Sequence, residues 1–214
     1  MEDLNNMLIK YPALTCCKAD IEKAYLMIKE TFANGGKVLV CGNGGSAADS
    51  EHIVGELMKG FMQPRKMPDT MREKFNKGCA NAEYLCYNLQ GALPAISLVS
   101  HTSLMTAFSN DVAPDMVFAQ QVFGYAKPGD CFIGLSTSGN SQNVILAADV
   151  AKVMDAKTIA FTGRTGGKLA GACDVTIKAP SDSTPEIQEY HLPIYHTICM
   201  MVERDFFVLR NDDL

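Results

Sequence analysis

The sequence predicts an α/β fold in which a parallel sheet is sandwiched between helices. Two observations carry this reading. Val38-Leu39-Val40-Cys41 is an unbroken apolar run of strand length bounded by glycines, which suits a strand buried on both faces of a parallel sheet. Similar runs then alternate with segments of helical apolar spacing, and such alternation closes into a parallel sheet through right-handed crossovers.

Taken in order, residues 3–33 read as two helices. Leu4, Met7, Leu8 and Tyr11 share one face of the first, and Ile21, Tyr25, Ile28 and Phe32 one face of the second. Pro12 breaks the first, and Gly35-Gly36 ends the second. After the strand at 38–41 comes a helix over 46–60 with Ile53, Leu57 and Met58 facing inward. A strand at 95–99 precedes helices over 103–109 and 113–125. Lys127-Pro128-Gly129-Asp130 is a turn. It leads to a strand at 131–135, a helix over 141–154, strands at 157–161 and 175–178, and a closing helix from 185 to about 209. Between Phe61 and Pro94 about thirty residues carrying Pro64 and Pro68 interrupt the alternation, with a helical patch at 80–88. The chain 1–214 is therefore one domain, with N-terminal helices over 1–34 and an inserted lid or rim at about 62–92.

Composition excludes several classes. The chain has 214 residues, 47% of them hydrophobic and 20% charged. That is long enough to cover about 70% of the unfolded surface, and too apolar for disorder. The formal net charge of -5 argues against a nucleic-acid partner, because phosphate contacts need clustered Lys and Arg. The basic groups Lys59 with Arg65-Lys66, and Arg72 with Lys74 and Lys77, sit beside Asp69 and Glu73 and read as a solvated loop. No apolar stretch approaches the ~18 residues of a membrane span. The start Met1-Glu2-Asp3-Leu4-Asn5-Asn6 is acidic and polar rather than a secretory signal, so a cytoplasmic location is expected. None of the eight Cys forms a C-x-x-C pair, and Cys41, Cys131 and Cys199 lie in apolar runs. They read as reduced core residues.

Two loops carry the first functional signal. Cys41-Gly42-Asn43-Gly44-Gly45-Ser46 runs straight from strand to helix. Its glycines allow positive φ and uncovered N–H groups at a helix start, although neither the dinucleotide fingerprint nor the P-loop spacing is met. Alone, it would be a tight turn. Ser136-Thr137-Ser138-Gly139-Asn140-Ser141 makes the same transition with four hydroxyls in six residues. A helix cap explains one hydroxyl, whereas four converging with backbone amides suit a phosphate monoester. Two such loops at the ends of sheet strands point to a ligand in the crevice between them.

The groups able to do chemistry lie elsewhere. His52 and Glu56, at i and i+4, point to one side of the helix after the first loop. The pattern lacks the second His of a metalloprotease helix. The last helix carries Gln188, Glu189, His191 and His196. His191 reads as a wall or surface residue. His196 lies in an apolar run and is either a satisfied core histidine or one aimed at a pocket. Asn110 and Asp111, placed between two helices, either cap the second or meet a ligand.

Together, Gly42-Asn43-Gly44-Gly45-Ser46-Ala47-Ala48-Asp49 with His52 and Glu56, then Asn110-Asp111, the loop Ser136 to Ser141, and Ile187-Gln188-Glu189 with His196 resemble the phosphoheptose isomerase family of sugar isomerase (SIS) domain proteins. The likeness spans nearly the whole chain outside the insert. It implies a three-layer α-β-α, flavodoxin-like sandwich and a homotetramer with sites between subunits. It also implies interconversion of sedoheptulose 7-phosphate and a heptose 7-phosphate aldose. Carried over, Ser136, Thr137, Ser138 and Ser141 would hold the phosphate. Asn43, Gly44, Gly45, Ser46, Asn110 and Asp111, with Glu56 and Gln188, would line the sugar. Glu56 and His196 would be the acid/base pair, and His52, Glu56, Gln188 and His196 would bind one zinc ion per site.

The chemistry agrees with those residue types. An aldose–ketose isomerisation passes through an enediol and needs one base over two adjacent carbons and one group that moves protons between their oxygens. Zinc would act as a Lewis acid, and two imidazoles with a carboxylate are suitable ligands. Gln188 and His196, eight residues apart, would sit ~12 Å apart on one straight helix. So the helix starts late, or bends at Pro193, or the ligands come from two subunits. The chain departs from the family at Lys59-Gly60-Phe61, at Glu186 and in its longer insert. A non-catalytic SIS protein that binds phosphosugars or associates with a replication initiator is the alternative. It has no need of His52, Glu56, Gln188 and His196 together. A phosphosugar-sensing regulator would append a helix-turn-helix, for which residues 1–34 are too short and acidic.

Overall fold

The computed structural model describes residues 1–207. Its helices are α1 (Glu2–Lys10), α2 (Lys18–Ala33), α3 (Gly45–Met58), α4 (Asp69–Gly78), α5 (Ala82–Asn88), α6 (Thr102–Asp111), α7 (Val117–Tyr125), α8 (Gln142–Val153), α9 (Leu169–Ala172) and α10 (Thr184–Phe207). Five strands, β1 (Val38–Gly42), β2 (Ala95–Ser97), β3 (Cys131–Leu135), β4 (Lys157–Thr162) and β5 (Val175–Lys178), form one sheet in the order β2-β1-β3-β4-β5. Every pairing is parallel, and Val38 stands between Ala95 and Cys131.

Successive strand residues point to opposite faces, so the sheet feeds two cores. Val38, Val40, Ile133, Leu135, Ile159 and Phe161 pack with residues of α1, α2, α3 and α10. Leu39, Cys41, Phe132 and Ala160 pack on the other face with α7, α8 and Leu169. All five residues of β1 and of β3 are buried, which is why their sequences run apolar without alternation. The three-layer α/β sandwich expected from the sequence is therefore present. Among the described residues no helix is long and apolar enough to cross a membrane. All eight cysteines are free, with Cys41, Cys131 and Cys199 buried as expected, Cys17 buried and Cys16 exposed.

Several expectations need correction. Met58, the last residue of α3, is 45% exposed, because it lies about 100° around the helix from the inward Leu57. The segment 113–125 is two pieces, a 3-10 turn at Pro114–Met116 and α7, since Pro114 holds Ala113 extended before it. Asn110 and Asp111 end α6 rather than lying between helices. The insert contains α4, which sequence reading missed because only Met71 and Phe75 mark its apolar side and none of its residues is buried. The basic segment at Arg65 is no solvated loop either, as Arg65 is 1% exposed. The expected end of the closing helix at about 209 lies outside the described residues.

Candidate active site

The two glycine- and serine-rich loops sit at the carboxyl ends of β1 and β3. These neighbours diverge: the chain leaves β1 for β2 on one side and β3 for β4 on the other, opening a crevice between them. In the first loop Gly44 has φ 56, and Asn43, Gly44 and Gly45 are exposed. A Cβ on Gly45 would lie 2.6 Å from Nε2 of Gln188, so the amide at the end of that side chain, carried by the last helix, lies close against the loop backbone. Ser46 is 3% exposed and lies beneath the loop.

In the second loop the hydroxyls of Ser136 and Ser141 are 2.9 Å apart, and Ser138 Oγ accepts the Asn140 N–H at 3.1 Å. Ser141 precedes α8 but makes no side-chain cap bond to it, which removes the plain capping explanation. Gly139 has φ 67, and a Cβ there would meet the Gly166 carbonyl oxygen at 2.1 Å. The neighbouring turn braces the loop through Gly163 N–H to Thr137 O, at 2.8 Å. Hydroxyls gathered at the positive end of a twelve-residue helix are donors of the kind an anion accepts from. Across the crevice the carboxamides of Asn43 and Asn143 clasp each other, with both N–H···O contacts at 2.9 Å. Asn143 was not foreseen, because its partner is a hundred residues away.

The acid/base candidates meet where α3 packs on α10. His52 Nε2 lies 3.2 Å from Glu56 Oε1 and 3.3 Å from His196 Nε2. The ring of Phe61 packs 5.3 Å from that of His196, and His196 lines a cavity of about 390 Å³ together with Tyr11, Leu192 and Met200. Burial, with help from His52, lowers the His196 pKa, while Glu56 opposes the shift. The ring is thereby biased toward its neutral form, the one able to accept a proton. Tyr195 reaches His52 Nδ1 at 3.0 Å and Asp49 Oδ1 at 3.2 Å.

Glu56 is held in place by a residue the sequence had hidden. Arg65 donates to the carbonyls of Glu56 at 2.8 Å and Leu57 at 2.6 Å, and pairs with Glu203 Oε1 at 2.8 Å. Glu203 in turn accepts the N–H groups of Phe61 and Met62. A guanidinium thus satisfies the open carbonyls at the end of α3 while tying that end to α10.

Two further expectations change. α10 is continuous from Thr184, with Pro193 inside it, so the helix does not start late and Gln188 lies two turns before His196. His191 is fully buried rather than a wall residue, and its Nε2 is 3.2 Å from Thr162 O. Asn110 bonds to Asp111 at 2.8 Å, and neither is hydrogen-bonded to the loops or to the acid/base group among the described residues.

The donor set can be tested against zinc. With bonds of ~2.0–2.1 Å, the edge of a zinc tetrahedron is about 3.3–3.4 Å. The 3.2 and 3.3 Å contacts of His52 Nε2 match two such edges, and Glu56 Oε2 is buried without a hydrogen-bond partner. No group of three or more His, Cys, Asp and Glu side chains among the described residues is drawn together into a metal centre as it stands. His52, Glu56 and His196 suit zinc by donor type, and two of their spacings match its edges, while the three are not gathered around one point among the described residues. Gln188, set against Gly45, is not brought to them.

Known proteins bear on this arrangement. The SIS domain family matches residues 14–84 and 79–163. The phosphoheptose isomerase of Aliarcobacter butzleri is 42% identical over 86% of this chain and 85% of its own length. The probable phosphoheptose isomerase of Thermoplasma acidophilum is 43% identical over 84% of this chain and 85% of its own. The solved phosphoheptose isomerase of Francisella tularensis superposes with a TM-score of 0.76 at 29% identity, covering 91% of each chain. With the SIS match covering most of its residues and relatives of this identity along most of its length, the chain belongs to the phosphoheptose isomerase family of SIS-domain proteins.

Proposed function

We propose that the chain interconverts sedoheptulose 7-phosphate and D-glycero-D-manno-heptose 7-phosphate. One observation carries the chemistry: His196 and Glu56, far apart in sequence, both contact Nε2 of His52, at 3.3 and 3.2 Å, where α3 packs on α10. Ser136, Thr137, Ser138 and Ser141 grip the phosphate. Asn43, Gly44, Gly45, Ser46 and Gln188 line the sugar, and Asn110 and Asp111, at the end of α6, would join them. Glu56 removes the proton from C1 of the ketose, the C1–C2 double bond of an enediol forms, and O2 gains a proton. Glu56 then returns a proton to C2 while O1 loses one, giving the aldehyde. His196, kept neutral, moves the proton between the oxygens. Zinc, held by His52, Glu56 and His196 with Gln188 as a weaker fourth, would polarise the carbonyl oxygen.

In this reading the working unit is a cytoplasmic homotetramer. Gln188 and His196 share one helix about 12 Å apart, so their joint use at one metal is best met by two subunits. No observation favours the non-catalytic alternative, since the full acid/base set is retained.

A thermal-shift screen of five- to seven-carbon sugar phosphates, with and without zinc, followed by an isomer assay on the hits, tests the proposal. Stabilisation and turnover with the seven-carbon ketose phosphate are expected. Binding without turnover, or turnover of a shorter sugar alone, would overturn it. Ser138→Ala should raise the dissociation constant more than it slows conversion.

A further inference from the structure

We propose that Asn140 is a positioning residue whose carboxamide holds the Ser138 carbonyl away from the crevice, so that an anion at the serine-rich loop meets N–H and O–H donors rather than that oxygen. This rests on the reading that residues 136–141 grip a phosphate. Asn140 Nδ2 donates to Ser138 O at 3.0 Å, and Asn140 Oδ1 accepts the Lys168 N–H at 3.1 Å. A carbonyl only accepts and a backbone N–H only donates, so these two partners fix which way the carboxamide faces.

The carboxamide completes a pattern along the loop. Ser136 O accepts the Gly139 N–H at 2.9 Å, Thr137 O the Gly163 N–H at 2.8 Å, and Gly139 O the Leu169 N–H at 3.0 Å. Of four successive carbonyls, that of Ser138 alone takes its donor from a side chain. Gly163 and Leu169 belong to the turn after β4, and a Cβ on Gly167 of the same turn would lie 2.5 Å from Ser138 O. β1 and β4 flank β3 on opposite sides, so the carbonyls of Thr137, Ser138 and Gly139 face the β4 turn while the crevice lies toward β1. Donors are what remains for a ligand. Ser138 Oγ accepts the Asn140 N–H, which leaves its own proton to give. Among the described residues the N–H groups of Thr137 and Ser138 donate to no protein acceptor. The peptide between Ser138 and Gly139 precedes a glycine, which takes either sign of φ, so it rotates more readily than most. Without Nδ2 it keeps only the bond from Gly139 N–H to Ser136 O, and the oxygen at its other end is free to turn toward the anion.

Calorimetric titration of the full chain with sedoheptulose 7-phosphate tests this. Asn140→Asp keeps the size and the acceptor for Lys168 but loses the donor to Ser138. Asn140→Ala loses both and adds no charge. Each should raise the dissociation constant at least about tenfold, the effect of leaving one polar group unpaired. KM should rise more than kcat falls, and the unfolding transition should stay cooperative. With no sugar present, the Lys168 amide hydrogen should exchange faster in Asn140→Ala but not in Asn140→Asp. Wild-type affinity in folded Asn140→Ala, a loss of kcat at unchanged KM, or unaltered exchange at Lys168 in that variant would overturn the proposal. A wild-type protein that does not bind the sugar phosphate would overturn the reading of the loop itself, and this assignment with it.

Discussion

Arg65 donates to the main-chain carbonyl of Glu56 at 2.8 Å, so a buried cation from the insert boundary supports the backbone of the carboxylate assigned as base. The same guanidinium pairs with Glu203, and neither residue is more than 1% exposed. Removing one partner of a buried pair leaves an uncompensated charge. Arg65→Met should cost about 3–5 kcal/mol in urea unfolding. The double change Arg65→Met with Glu203→Leu should recover much of that loss. A single variant as stable as the wild type would mean the pair does not hold α3 to α10.

Gly139→Ala tests the serine-rich loop through its backbone. Alanine at φ 67 meets the Gly166 carbonyl, and left-handed non-glycine backbone costs ~1–3 kcal/mol before any clash. Calorimetric titration with the sugar phosphate should show affinity reduced more than tenfold in the folded variant. Undiminished affinity would remove this loop from the phosphate site.

The Asn43–Asn143 clasp predicts coupling. Asn43→Ala and Asn143→Ala should each raise KM, and the double variant should be little worse than either alone. The coupling energy should fall within about 0.5–3 kcal/mol, as for other contacting pairs. Strictly additive effects on KM would show that Asn143 does not act through Asn43.

His191 predicts a pH dependence of stability. Burial pushes its pKa down to about 4, against the hydrogen bond to Thr162, which raises it. The unfolded chain titrates near 6.5 and so binds more protons between the two values. Stability contributed by the neutral ring is complete above about pH 6.5 and is lost as pH falls toward 4, by about 3 kcal/mol. Urea midpoints from pH 4 to 7.5 should show this slope, and His191→Gln should flatten it. An equal slope in both proteins would assign the dependence to other groups.

Much of the fold was legible because β1 and β3 are buried on both faces and advertise this as unbroken apolar runs. The two loops were legible because glycine and serine mark tight strand-to-helix turns. Arg65, Asn143 and Tyr195 were not. Each works through a partner distant in the chain, and nothing local separates a buried, paired arginine from a solvated one. α4 escaped because Met71 and Phe75 alone, among charged residues, make too thin a stripe to read. His191 was misplaced because a helical histidine beside polar neighbours gives no sign that Phe161 and Thr162 O enclose it.

Single-turnover conversion of sedoheptulose 7-phosphate by Glu56→Gln tests the central claim most directly. The chemical step should slow at least about 100-fold, the usual contribution of a positioned acid/base group, while the dissociation constant stays within about tenfold. Near-wild-type conversion by a folded Glu56→Gln protein would contradict the account.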